Sequence, residues 1–357
     1  AWKDITKANT EFKHLYVELA KTINKFMNII ENHELEDEDG IIFDFKKYID
    51  RLKEYYKNFE FIVNNDSEDY VYWLSVTPNK NNIKLFATPF DVSEDLKENL
   101  LSKLNRMVFT SATLAVEGKF DYFMKSMGFD KNDKQLSKHL ISSPFDYMNQ
   151  MRVFIPSDTI DPNSIDFIAE TEVFIDKLIR KTKGHCFLLF TSYSMLNYLY
   201  NKLEKYYNKK DYTLLKQGDY SRNEMIEIFR NAKNPILFGT DSFWEGVDVQ
   251  GEQLKSVIIV KLPFKVPDDP VTEAIIEHIR ENKGNPFNEF QVPQAVIKFK
   301  QGIGRLIRSK SDTGIITILD NRVITKYYGR KFLNSLPKTN IIVDSKENII
   351  EIIWASS

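Results

Sequence analysis

The chain has 357 residues, of which 42% are hydrophobic, so it is long enough for two or three domains with sizeable cores. Its net charge of −2 excludes a globally basic surface, and any polyanion site must be a local patch. The single cysteine, Cys186, excludes an internal disulfide framework and fits a reducing cytoplasm; its apolar neighbours predict a core position rather than a reactive thiol. No apolar run reaches about 18 residues, so no membrane span is expected.

Residues 1–62 carry apolar side chains at helical spacing in two stretches, separated by the acidic link 34–40. This pattern predicts a helical hairpin or part of a bundle. We expect its aromatic side chains to be core rather than a base-stacking surface. Residues 70–76 and 83–87 are apolar and aromatic runs joined by a polar turn, which predicts a β-hairpin.

A helix over 93–105 and a strand over 106–110 are predicted next. From about residue 150, short apolar strands alternate with helices, which predicts a parallel sheet covered on both faces. Ligands of such sheets bind at the carboxyl ends of the strands. The predicted strands are 152–155, 186–190, 213–215, 235–239, 256–261 and 314–319, the predicted helices are 164–182, 194–208, 222–232, 270–282, 293–309 and 322–334, and 341–353 predicts a last strand and a short helix.

The end of the helix predicted over 293–309 has the sequence Gln-Gly-Ile-Gly-Arg-Leu-Ile-Arg. Helical spacing would place Gln301, Arg305 and Arg308 on one face. Each glycine costs a helix about 1 kcal/mol relative to alanine, so two of them indicate close approach to the backbone. Arginine forks suit the oxygens of a triphosphate, and the alternative is a solvated basic face.

Three further segments follow apolar runs: Ser-Ala-Thr-Leu at 111–114, Thr-Ser-Tyr at 191–193, and Gly-Thr-Asp-Ser-Phe-Trp-Glu-Gly-Val-Asp at 239–248. Together with 301–308 they resemble, in this order, motifs III, IV, V and VI of the superfamily 2 helicases. Trp-Glu-Gly-Val-Asp and the Ser-Pro-Phe-Asp-Tyr of 143–147 resemble the DinG/XPD family, and its DinG branch most closely. Any one motif is weakly specific, but four in order are strongly specific. The resemblance covers about residue 70 to the end.

The resemblance implies a motor of two RecA-like lobes with ATP between them. The first lobe supplies a Gly-x-x-x-x-Gly-Lys-[Ser/Thr] loop, but the only Gly-Lys pair here precedes Phe120, and no Asp-Glu-Ala-His type motif occurs. The resemblance therefore implies the C-terminal part of a larger protein. Residues 1–92 would be an arch-like helical remnant plus β-hairpin, 93–148 the tail of the first lobe with motif III, and 149–357 the second RecA-like lobe with motifs IV, V and VI.

The resemblance also assigns roles to residues in phosphoryl transfer, where an arginine finger contributes about 10³ to 10⁵-fold in rate. Arg308 would be the finger on the γ-phosphate and Arg305 its partner, with the reverse order open. Gln301 would touch the γ-phosphate or the attacking water. The expected nucleotide-binding residues are Asp248, Gly246, Gly304 and Glu245; a turn cap is the alternative for Asp248, and a surface carboxylate is the alternative for Glu245.

Single-stranded DNA would be held by hydroxyls and backbone amides at strand ends, with aromatic side chains completing the groove. The candidates are Thr191, Ser192, Tyr193, Thr240, Ser242 and Trp244, and core packing is the alternative for Trp244. Ser111 and Thr113 would couple the nucleotide state to the DNA grip, or form a simple strand-end turn. Arg322, in the Asp-Asn-Arg that follows a predicted strand, is either a cleft arginine or a structural ion pair.

The resemblance thus implies an ATP-dependent DNA helicase that moves 5′-to-3′ on single-stranded DNA with ATP and Mg²⁺, both bound mainly by the missing N-terminal lobe. No metal site and no iron–sulfur cluster are expected within this chain. Some DinG proteins carry an exonuclease domain, so that activity stays open for the parent. The rival hypothesis is a DNA- or protein-binding module on a motor lobe without an ATPase role. An unrelated α/β nucleotide enzyme would need its own phosphate loop.

Overall fold

The computed structural model describes residues 13–25, 28–29, 41–65, 67–76, 82–130, 135–207, 211–245, 253–265 and 269–355. The chain forms two compact units, Ala1–Asp91 with Asp268–Ile275, and Val92–Pro267 with Ile276–Ser357. Within the described ranges, no helix has both the length and the apolar character that crossing a membrane requires.

Before residue 92, the described part of the first unit contains two helices and a β-hairpin, as the sequence predicts. Helix α1 covers 13–25, α2 covers Ile41–Asn64, and the antiparallel strands β1 (Tyr70–Val76) and β2 (Ile83–Pro89) place Trp73 opposite Phe86. Ile49 of α2 is buried, but Tyr48 and Tyr55 are 66% and 57% exposed. The expectation that these aromatics are core is wrong for both tyrosines, because a helix buries only the stripe that faces its neighbours.

The second unit is built on a seven-stranded sheet in which every neighbouring pair is parallel. Its order is β5-β6-β4-β7-β8-β3-β9. The carboxyl ends of all seven strands therefore lie along one edge. The strands are β3 (Met151–Pro156), β4 (Cys186–Leu189), β5 (Thr213–Lys216), β6 (Pro235–Gly239), β7 (Ser256–Ile259), β8 (Gly314–Ile318) and β9 (Asn340–Asp344).

Helices cover both faces of this sheet, which explains why its strands are almost continuously apolar. Alternate residues of a strand point to opposite faces, so Val153 and Ile155 join one buried cluster and Phe154 joins the other. The α-helices of the described ranges after residue 92 are α3 (Ser93–Asn99), α4 (Asp121–Ser126), α5 (Tyr147–Gln150), α6 (Phe167–Lys181), α7 (Tyr193–Tyr207), α8 (Arg222–Asn231), α9 (Asp241–Trp244), α10 (Pro270–Glu281), α11 (Val292–Ile303), α12 (Arg322–Thr325), α13 (Gly329–Asn334) and α14 (Lys346–Ala355). The predicted α/β class with a parallel sheet and a separate hairpin is confirmed.

The predicted strand at 106–110 is absent. Residues 104–111 form no strand, and Val108 is 89% exposed. A strand needs a neighbour that takes its backbone hydrogen bonds, and no described strand lies beside this segment.

The helix predicted over 293–309 ends early, at Ile303, with Gly304 as its C-cap. The helical-face prediction for Arg305 and Arg308 is therefore wrong, because both residues lie beyond the helix. The helix predicted over 322–334 is likewise divided, into α12 and α13.

Candidate functional site

The two arginines after α11 have different surroundings. Arg305 is only 7% exposed, and its Nη2 donates to the carbonyl oxygen of Trp244 at 2.9 Å. Arg308 is half-buried, and its backbone N–H donates to Oδ2 of Asp312 at 2.8 Å. Arg305 is thus part of the packing, whereas Arg308 has a fixed backbone and a side chain that solvent reaches in part.

A carboxylate and an amide hold the loop that carries Arg308. Asp312 also accepts from the N–H of Ser309 at 2.8 Å and from its hydroxyl at 2.6 Å. Gln150 donates through Nε2 to the carbonyl oxygens of Ser309 at 2.9 Å and Asp312 at 2.8 Å. The sequence analysis missed both side chains. The Ser-Lys-Ser-Asp composition of 309–312 is a turn signal, but the contribution of Gln150 has no local signal.

The glycines of this segment differ in what approaches them. A Cβ added to Gly302 would lie 2.7 Å from the Trp244 ring and 3.1 Å from Leu189, whereas at Gly304 the nearest atom is the carbonyl oxygen of Lys300 at 3.2 Å. Close approach to a glycine is confirmed at Gly302, but the approaching group is an indole ring of the same chain. Gly304 is exposed.

Gln301 lies in the last turn of α11 and is half-buried. Its side-chain oxygen Oε1 is buried and has no hydrogen-bond partner in the part of the chain that the structure describes. A buried amide oxygen without a donor is costly by about 1–3 kcal/mol. A donor that reached this atom would remove that cost.

The turn after β6 is tied down by several side chains. Trp244 is fully buried, and its Nε1 donates to the carbonyl oxygen of Phe190 at 3.0 Å. Core packing, the alternative to base stacking, therefore describes Trp244. Arg222 donates through Nη2 to the carbonyl oxygen of Glu245. The side chains of Ser242 and Glu245 are exposed, while Gly246 and Asp248 lie outside the described residues.

The remaining predicted DNA-binding residues follow β4 and β6. Thr191 and Ser192 are half-buried, and Tyr193 is 54% exposed at the start of α7. Thr240 is buried and hydrogen-bonded to Gln217, a residue that follows β5 and that the sequence analysis did not single out. The sheet thus brings the ends of three strands together at these residues.

The predicted coupling residues form a turn. The hydroxyls of Ser111 and Thr113 are 3.1 Å apart, and the Thr113 N–H donates to the Ser111 oxygen at 3.2 Å. Lys300 of α11 donates through Nζ to the carbonyl oxygens of Ala112 at 3.3 Å and Ala115 at 3.0 Å. Burial lowers the pKa of the Lys300 ammonium. Lys300 therefore connects this turn to the helix that carries Gln301, a link that the sequence analysis missed.

Arg322 forms the structural ion pair that was one of its two alternatives. The Asp320 side chain is fully buried, accepts from the Leu262 N–H at 2.8 Å, and takes Arg322 Nε at 2.8 Å and Nη2 at 2.5 Å. Among the residues with described positions, no group of three His, Cys, Asp or Glu side chains is arranged to hold a metal ion.

Residues 175–339 match the family described as the helicase C-terminal domain. The chain is 38% identical over 272 residues to "ATP-dependent DNA helicase YoaA" of Haemophilus influenzae, which covers 76% of this chain and 41% of the relative. It is 31% identical over 351 residues to "3'-5' exonuclease DinG" of Bacillus subtilis, which covers 96% of this chain and 38% of the relative. The chain therefore spans about two fifths of the length of these relatives.

Solved structures share the fold. The structure titled "XPD_Helicase" superposes with a TM-score of 0.54 at 17% identity and covers 87% of this chain and 56% of that chain. The structure titled "XPD_APO" gives a TM-score of 0.52 at 16% identity and covers 87% of this chain and 62% of that chain. With its helicase C-terminal domain and these relatives, the chain corresponds to the C-terminal part of DinG-type helicases and shares the fold of the XPD structures.

Proposed function

We propose that the chain is the second motor lobe of an ATP-dependent DNA helicase, which moves 5′-to-3′ on single-stranded DNA, together with the tail of the first lobe. The supporting observation is the hydrogen bond between Arg305 and the Trp244 carbonyl. It joins the arginine segment to the turn after β6, so that the proposed nucleotide-contacting and DNA-contacting residues lie close together.

Arg308 is the arginine finger in this proposal. A finger needs a fixed backbone, and the Arg308 N–H is held by Asp312. The residue is half-buried, and its Nε is buried, whereas Arg305 as a whole is only 7% exposed. Arg305 is a positioning residue, because its guanidinium is buried against a backbone carbonyl. The guanidinium of Arg308 would neutralise charge on the γ-phosphate as the bond to it breaks.

Gln301 contacts the attacking water in this proposal rather than the γ-phosphate. Its buried oxygen Oε1 is an acceptor, and a water molecule offers the proton that a phosphate oxygen lacks. Gly304, Glu245, Gly246 and Asp248 remain proposed nucleotide-site residues. Mg²⁺ neutralises phosphate charge in such reactions. We place the ion, with most of the ATP contacts, on the first lobe.

The domain assignment is 1–92 as an arch-like remnant with its hairpin, 93–148 as the tail of the first lobe, and 149–357 as the second lobe. The apolar run at 107–110 supports it, because this run has strand composition but no described strand beside it. It would complete its hydrogen bonds on the sheet of the first lobe, which is the partner of this chain. Ser111 and Thr113 then couple the two lobes, through the turn that Lys300 holds.

The first experiment is ATP hydrolysis by the 357-residue chain alone, with and without single-stranded DNA. We expect no turnover, because the phosphate loop is missing. In the full-length protein, Arg308→Ala should lower DNA-stimulated turnover by about 10³-fold. Arg330→Ala, which removes an exposed arginine of α13, should leave it unchanged. Turnover by the chain alone would show that a complete ATP site exists within it.

The alternative function is a DNA- or protein-binding module without an ATPase role, which predicts unchanged turnover in Arg308→Ala. An exonuclease activity is carried in the name of the Bacillus subtilis relative. For the parent of this chain it is a further proposal, to be tested by degradation of labelled DNA by the full-length protein.

A further inference from the structure

One side-chain amide spans the ends of three neighbouring strands. Gln217 follows β5, and its Oε1 accepts from the Thr240 N–H at 2.6 Å and from the Thr240 hydroxyl at 3.0 Å. Its Nε2 donates to the hydroxyl oxygen of Tyr193 at 2.6 Å. Thr240 follows β6 and Tyr193 lies shortly after β4, and these strands are adjacent in the order β5-β6-β4. The side-chain amide of Gln217 therefore crosses the carboxyl end of β6, the middle strand of these three.

This bridge occupies the two donors of Thr240. The residue is 3% exposed, and both its N–H and its hydroxyl point to Gln217. In this conformation Thr240 does not offer them to a phosphate group. The accessible part of the bridge is the tyrosine at its other end.

The Tyr193 ring is exposed but held at both ends. Its backbone is the first residue of α7, and its hydroxyl is tied to Gln217, while 54% of the residue is exposed. A ring with a preset orientation loses little conformational freedom when a flat partner stacks on it. It also stands at the carboxyl edge of the sheet, where ligands of parallel sheets bind.

We propose that Tyr193 is a stacking platform for one nucleobase of single-stranded DNA and that Gln217 is the positioning residue that sets its orientation. The inference rests on the proposed function, because it takes single-stranded DNA as the ligand. Aromatic rings bind bases of any sequence in this way, since every base has a π-face. Stacking on an aromatic ring does not require a cluster of basic side chains. It is therefore compatible with the net charge of −2 of this chain.

The test compares two oligonucleotides in binding to the full-length protein by fluorescence anisotropy. One is a dye-labelled oligodeoxythymidylate, and the other is an abasic oligonucleotide of the same length, which keeps the phosphates and lacks the bases. Tyr193→Leu should weaken binding of the first by about tenfold and leave binding of the second unchanged. Tyr206→Leu, which removes another partly exposed tyrosine of α7, is the matched control and should change neither.

The positioning role of Gln217 has its own readout. Gln217→Leu should weaken binding of the thymidylate alone, by less than Tyr193→Leu does, and add nothing when combined with it. Thermal unfolding of each variant checks that the fold is kept. Equal losses on both oligonucleotides, or no loss from Tyr193→Leu, would overturn the inference while the proposed function stands. Failure of the unaltered protein to bind either oligonucleotide would overturn both.

Discussion

Replacing Gly302 by alanine tests whether this glycine exists to accommodate Trp244. The added Cβ would lie 2.7 Å and 3.0 Å from two carbon atoms of the indole ring and 3.1 Å from Leu189. The ring cannot easily move away, because it is fully buried and its Nε1 is bonded to the Phe190 carbonyl oxygen. The same change at Gly304 meets only a carbonyl oxygen at 3.2 Å and another at 3.7 Å.

The expected magnitude follows from two opposing effects. Overpacking of a core costs about 1–3 kcal/mol, and the higher helix propensity of alanine returns at most about 1 kcal/mol. The return is smaller near the end of a helix, and Gly302 is the last residue but one of α11. The net loss for Gly302→Ala should therefore be about 1–2 kcal/mol, or about 2–8 °C in melting temperature for a domain of this size.

The assay is urea and thermal unfolding of the 357-residue chain, followed by tryptophan fluorescence, for Gly302→Ala beside Gly304→Ala. We expect the first variant to be destabilised and the second to stay within about 0.5 kcal/mol of the unaltered chain. Equal stability of the two variants, or a larger loss at Gly304, would refute the packing argument. Gly302 would then have to be explained by a ligand that approaches the backbone, as the sequence alone suggested.

Three further predictions concern the second unit. Burial raises the pKa of the Cys186 thiol well above its usual range. A thiol reagent at pH 8 should therefore label Cys186 only after the chain is unfolded in urea. Rapid labelling of the folded chain would contradict the burial of this residue. Asp320→Ala leaves the guanidinium of Arg322 without its buried partner, so it should lower the free energy of unfolding by about 3–5 kcal/mol in urea unfolding. A loss below about 1 kcal/mol would argue that this ion pair does not stabilise the fold. Lys300→Met removes the donor to the Ala112 and Ala115 carbonyls and should speed hydrogen exchange at the amides of 111–116, and unchanged exchange would show that the turn forms without it.

The fold could be predicted from the sequence because the hydrophobic pattern of each segment shows whether it is a strand or a helix and which of its faces are buried. Apolar strands alternating with helices require a parallel sheet with two covered faces, and the structure has that sheet. The strand prediction at 106–110 was wrong, because no described strand lies beside this segment. Composition indicates that a segment prefers to be a strand, but only a neighbouring strand makes it one.

The sequence nominated residues for the candidate site, and the structure decided how they are arranged. The order of the motif segments singled out Arg305, Arg308 and Gln301 as candidates, but helical spacing wrongly placed the two arginines on one helical face. The helix ends at its C-cap, Gly304, and the carboxylate of Asp312 then holds the backbone N–H of Arg308. The two arginines therefore lie outside the helix and have different surroundings. Gln150, Gln217 and Lys300 had no local signal, because each acts on residues far away in the sequence.

The sequence by itself determined the α/β class and most of the order of its elements, and it nominated candidate segments for the chemistry, because hydrophobic period and motif order are local properties. Tertiary structure alone decided which groups meet. Arg305 reaches a carbonyl 61 residues away, and Gln217 bonds to a threonine 23 residues away. Such contacts depend on which strand ends become neighbours in the sheet, and that is settled by the packing of the whole core rather than by any single stretch of chain.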